Sequence, residues 1–75
     1  LGDIKMEKEY VTSSNLRSIG YDKNTSILEI EFNSGATWQY FDFPETKWHE
    51  FKLTDSFGRY FNREIRGSYR ESRVG

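Results

Sequence analysis

"SILEIEFNSGATWQYFD", residues 26–42, decides how the rest of the chain is read. Two runs of alternating apolar and polar residues flank Asn33-Ser34-Gly35, and a period of two marks a half-buried strand. A three-residue loop with Gly35 in the left-handed region, where a side chain would clash, closes such a hairpin. That loop pairs Phe32 with Ala36, Ile30 with Trp38 and Leu28 with Tyr40, so all six share one face. Glu29, Glu31, Thr37 and Gln39 then share the other. A two-residue Ser34-Gly35 turn would mix Glu31 with Trp38 and Phe32 with Thr37, and a slip of one residue exposes the apolar set. The first register is the one expected.

Upstream, "LRSIGYD", residues 16–22, reads as another strand. A four-residue loop "DKNT", residues 22–25, puts Ile19 and Tyr21 with Leu28 and Arg17 opposite Ile30, which requires Arg17 to sit near an edge. The polar stretch before it, residues 1–12, is expected to be a loose arm, with Met6 a candidate natural start. Downstream, Pro44 in "FDFPETKWHEF", residues 41–51, suits the first position of a helix, where its missing N–H costs nothing, and Glu45 suits the positive helix end. Trp48 and Phe51 give that helix its inward face. "LTDS" interrupts, Asp55 or Ser56 can cap a second helix, and Phe57, Tyr60, Phe61 and Ile65 turn inward before Gly67 stops it. The expected fold class is α+β: a three-stranded antiparallel meander followed by two short helices packed on one sheet face. The domain proper is expected at 13–70, with 71–75 as a tail.

The chain has 75 residues, room for one domain with a thin core. It has no cysteine and only one histidine, His49, so neither a disulfide nor a zinc cluster can staple it. Stability must come from six Phe, five Tyr and two Trp, 17% of the sequence, each able to bury about 150 to 250 Å². Net charge is −1, which speaks against a general polyanion binder. The distribution is uneven. From Ser56 onward five arginines face Glu64 and Glu71, a local +3, while the earlier residues hold six basic and ten acidic groups, a local −4. No run approaches the roughly 18 apolar residues needed to span a bilayer, and the opening lacks a signal peptide's apolar stretch, so no membrane association and a cytoplasmic location are expected.

The basic end is concentrated in "GRYFNREIRG", residues 58–67. On a helix at about 100° per residue, Arg59, Arg63 and Arg66 fall within roughly 60° of one another, opposite Tyr60, Phe61 and Ile65. Any amphipathic helix has a wet side. Here, however, the row continues into Arg70 and Arg73, no lysine follows Lys52, and the polar Asn62 stands beside it. Arginine's planar fork suits phosphates and stacking on bases, where lysine offers a point charge. Tyr69, just past Gly67, could stack a base.

Catalysis finds no comparable support. His49 and Glu50 are adjacent, and adjacent helical residues diverge rather than face each other. Ser13, Ser14 and Ser56 have no evident base. "SIGYD" and "NSG" are not phosphate loops, and Asp22 and Asn24 read as turn formers, not calcium ligands.

The stretches "SSNLRSIGYD", "LEIEF", "SGATWQYF", "FPETKWHEF" and "SFGRYFNREIRGSY" together resemble the KTSC domain, named for a C-terminal appendage of some lysyl-tRNA synthetases and found also as small stand-alone bacterial proteins. The resemblance runs from about Ser13 to Tyr69. The family's central Tyr-x-Tyr stands here as Trp38-Gln39-Tyr40, which keeps a flat ring and removes one phenol. The resemblance implies no established activity; RNA binding is suggested by the attachment to a tRNA-charging enzyme. The expectation is a small noncatalytic binding domain, without cofactor or metal, in which Arg59, Arg63, Arg66 and Arg70 contact the phosphates of tRNA or single-stranded RNA. Asn62 and Tyr69 would add base contacts. The rival reading is a protein-interaction or structural accessory module, monomeric or weakly dimeric, using open sheet edges or meeting an acidic partner through the same arginines.

Overall fold

The structure, a computed structural model, describes residues 6–75. Residues 1–5 of the expected arm lie outside the described residues. One antiparallel sheet of five strands, in sequential order, carries two helices and a π-helical turn among the described residues. The strands are β1 (Glu7–Tyr10), β2 (Leu16–Asp22), β3 (Ile27–Phe32), β4 (Thr37–Tyr40) and β5 (Glu71–Arg73); the helices are α1 (Glu45–Lys52) and α2 (Phe57–Tyr60). The α+β class holds, but the three-stranded meander does not: a strand has been added at each edge.

The central hairpin has the expected register. Leu28 pairs with Tyr40 and Ile30 with Trp38, the Phe32 N–H donates to the Ala36 carbonyl at 2.8 Å, and Gly35 sits at φ 97°. The β2–β3 register differs from expectation by two residues. Tyr21 pairs with Leu28 and Ile19 with Ile30, because the turn falls one residue later and Ser26 takes up the left-handed conformation at φ 58°. Arg17 therefore does not oppose Ile30. The register shifts between Leu16 and Ser18, and this bulge leaves Arg17 exposed while Leu16 and Ser18 stay buried. Asp22 forms a turn as read, its Oδ1 accepting from the Asn24 N–H at 2.9 Å.

The arm is not loose over residues 7–10, where β1 pairs with β2 from Glu7↔Tyr21 to Tyr10↔Ser18. Gly20 lets the chain pass: a Cβ there would lie 2.9 Å from Met6 Sδ. Nor is the far end a free tail, since β5 pairs with β4 from Trp38↔Arg73 to Tyr40↔Glu71, and Val74 and Gly75 N–H groups both donate to the Thr37 carbonyl.

The apolar face of the sheet carries the core. Trp48 of α1 stacks on Tyr21 with ring centroids 5.5 Å apart, and the Tyr21 hydroxyl donates to the Phe43 carbonyl at 2.6 Å. Phe61 meets Phe32 and Tyr40 edge-on. Phe51 stacks on Tyr60 at 4.9 Å. These contacts place both helical segments on one sheet face, as the pattern of inward residues implied. Pro44 is the residue before α1, extended at ψ 143°, and its carbonyl accepts from the Lys47 and Trp48 N–H groups.

Candidate functional site

The segment carrying the arginine row begins as read. The Ser56 hydroxyl accepts from the Arg59 N–H at 3.2 Å, capping α2. After one turn the geometry changes. Residues Phe61–Ile65 form a π-helical turn, closed by the Arg66 N–H donating to the Phe61 carbonyl five residues back at 2.8 Å. Arg66 then leaves the helix with ψ 122°, and Gly67 at φ 75° completes the stop. The wider turn keeps Tyr60 and Ile65 buried together, but it breaks the single file expected of Arg59, Arg63 and Arg66.

The six residues singled out in the sequence go to different places. Arg59 is exposed and forms no ion pair among the described residues. Arg63 donates from Nε to Glu64 at 2.9 Å and lies 5.8 Å from the Tyr60 ring centroid. Tyr69 packs edge-on against Phe43 at 5.0 Å, which uses its ring in the core. Arg70 lies over the Phe41 ring at 5.1 Å. Only Asn62 and Arg66 meet in one concave site, joined by a long hydrogen bond of 3.4 Å from Arg66 Nη1 to Asn62 Oδ1.

Glu64 is the centre of a closed network. Lys47 Nζ reaches its other oxygen at 2.6 Å, and Tyr60 donates to Glu50 at 2.5 Å. The Lys47 hydrogen bond first, and Arg63 second, hold the Glu64 carboxyl below its ordinary value. The same bond raises Lys47. Burial, then the bond to Glu50, pushes the Tyr60 phenol up. His49 lies 3.4 Å from Glu45, one turn away on the exposed side of α1.

The concave site is a groove of about 510 Å³ between the β3–β4 hairpin, the π-helical turn, β5 and the Ser14-Asn15 loop. Phe61, held edge-on by Phe32 and Tyr40, builds its floor with the half-buried Trp38. The loop closing one end is fixed by backbone: the Asn33 N–H donates to the Asn15 carbonyl at 2.8 Å, and Asn33 Nδ2 donates to the Ser13 carbonyl at 3.0 Å. Arg66 and Glu71 stand at the groove beside the Tyr40 phenol. Burial raises that phenol to about 12, the Glu71 carboxylate adds to the rise, and Arg66 partly offsets it.

The sequence reading missed Trp38, Phe32 and Glu71 as site residues. Trp38 and Phe32 were assigned wholly to the core because they share a face with Ile30, and Glu71 was assigned to a tail. The available signal was the aromatic-x-aromatic stretch at Trp38 opposite a residue as small as Ala36, which leaves space over the rings. No group of three or more His, Cys, Asp or Glu able to hold a metal occurs among the described residues, and no described helix is long and apolar enough to cross a membrane.

The pattern of the KTSC domain matches residues 12–69. The chain belongs to the KTSC domain family. A crystal structure of a KTSC domain protein from Yersinia pestis superposes with a TM-score of 0.91 at 37% identity, covering 95% of this chain and all of that one. An uncharacterized protein of Stutzerimonas stutzeri is 44% identical over 57 residues, 76% of this chain and 80% of its own. A lysine–tRNA ligase of Nostoc punctiforme is 32% identical over 55 residues, 73% of this chain but 10% of the ligase. This KTSC domain therefore corresponds to a small part of the synthetase, and the family match indicates no catalytic class.

Proposed function

We propose that this KTSC domain is a noncatalytic module that binds single-stranded RNA, with the groove taking an unstacked base. The observation that carries the reading is the shared groove of half-buried Trp38 and Phe32 with Arg66 and Asn62. A base stacked on an aromatic ring gains about 1 to 3 kcal/mol, and the gain is tolerant of sequence. Polar groups at the rim then orient what the rings hold. Arg59, exposed one turn before the groove, is placed for backbone phosphate. With a net charge of −1, phosphate contact is confined to the arginine-bearing end, and affinity stays modest. That relatives include a segment of lysine–tRNA ligases makes tRNA the first natural candidate.

The test is a fluorescence-anisotropy titration with tRNA, single-stranded RNA and duplex DNA at two salt concentrations. Single strands are expected to bind more tightly than duplex DNA, with log affinity falling linearly in log salt at a slope of about −0.7 per phosphate neutralised. Absence of binding to all three at low salt would overturn the reading. It would favour a protein-interaction module, for which β5, exposed along its length at the sheet edge, offers a strand to pair with.

A further inference from the structure

The groove presents one carboxylate and one guanidinium, and neither is used up by the other. Glu71 and Arg66 both line it, Glu71 is exposed, and among the described residues neither forms an ion pair. Each charge excludes a class of occupant. Glu71 repels a phosphate or a carboxylate seated on the rings, and Arg66 repels an ammonium or a guanidinium. What remains is a neutral, planar group with hydrogen-bond donors for Glu71 and an acceptor for Arg66.

We infer that the base this groove prefers is guanine, with Glu71 as the reading group. This rests on the RNA reading above. A carboxylate has two acceptor oxygens and no donor. Guanine alone of the four RNA bases places two adjacent donors, N1–H and the 2-amino group, on its Watson–Crick edge, matching both oxygens. Adenine and cytosine offer one amino group beside an acceptor that a carboxylate repels, and uracil offers one N–H between two carbonyls. Guanine O6, next to N1–H, is the acceptor left for Arg66, whose fork retains further donors after its single long bond to Asn62. Unstacked bases are read on these edges when they leave the helix. The rings supply stacking for any base, so the carboxylate supplies discrimination and the aromatic floor does not.

Anisotropy with fluorescein-labelled hexanucleotides UUGUUU, UUIUUU, UUAUUU and UUUUUU at low salt tests this directly. The guanine hexamer is expected to bind about tenfold more tightly than the adenine and uridine hexamers. Inosine, which lacks only the 2-amino group, is expected to fall between, a comparison that leaves the protein unaltered. In Glu71→Gln the guanine preference should shrink to within about twofold while the affinity for UUUUUU holds or rises. Four hexamers binding alike would overturn the inference and leave the RNA reading standing. A guanine preference that survives both inosine and Glu71→Gln would overturn Glu71 as its source, and no binding of any hexamer would overturn both readings together.

Discussion

Arg63 and Arg66 are separated by less than one turn of chain, yet one faces a region that has closed its charges on itself and the other a region that has left them open. On the α1 side, Arg63, Glu64, Lys47, Glu50 and Tyr60 form a connected set of short polar contacts. On the groove side, Arg66, Asn62 and Glu71 surround aromatic rings with a single long hydrogen bond among them. The difference teaches that a run of arginines is not a site. Charge already satisfied within the molecule joins helices; charge left beside a concave apolar floor can meet something else.

The two regions share Ile65, wholly buried beneath the π-helical turn. Ile65→Ala should break both at once, lowering stability by about 2 to 5 kcal/mol in urea denaturation; a smaller loss would show that the two sides are anchored separately. Trp38→Ala separates them, weakening single-stranded RNA binding by about 1 to 3 kcal/mol through lost stacking while the Glu64 network stays intact. Arg66→Ala and Arg63→Ala sharpen the contrast further. The first is expected to reduce affinity about tenfold and the second less than twofold, as a charge-assisted bond to ligand is lost only at Arg66. Equal effects of the two in anisotropy would dissolve the distinction. Tyr60→Phe should cost about 0.5 to 1.5 kcal/mol of stability through the lost bond to Glu50 and leave RNA affinity unchanged.

The smallest effect is in the pH dependence. Glu64 titrates below its ordinary 4.5 in the folded protein because Lys47 and Arg63 hold its charged form. Its contribution is therefore complete above that ordinary value and is lost as pH falls through the lower folded one. Lys47 has the opposite sense, its contribution present below its ordinary 10.5 and lost as pH rises through the raised folded value. Thermal melts of Glu64→Gln between pH 3 and 6 should show a shallower acid slope than the parent, whereas Glu71→Gln should match the parent; the opposite ranking would place the closed network on the wrong side.

What the sequence made legible follows from which interactions leave a pattern. The central hairpin was readable to the residue because Gly35 and the alternation from Leu28 to Tyr40 agree. The inward residues of the helices were readable for the same reason, since burial of Trp48, Phe51, Tyr60 and Ile65 leaves a period. β1 and β5 were not, because "EKEY" and "ESR" are exposed at every position and are held by backbone pairing that no side-chain pattern records. The two-residue error at β2–β3 came from Ser26, a residue with no evident claim to a positive φ. For the site, the arginines were visible but their partners were not: Glu64 is beside Arg63 in sequence, while Lys47 reaches Glu64 from another helix. The groove itself needed β5 to bring Glu71 next to Tyr40.

The π-helical turn makes the count of residues between Phe61 and Arg66 as consequential as their identity. An ordinary α-helix spans its hydrogen bond with one residue fewer, so excising one residue there would restore a regular helix and swing everything after it by about 100°. Such a deletion would leave composition and charge almost untouched and still carry the guanidinium away from the rings, making chain length, more than chemistry, the quantity that aims it.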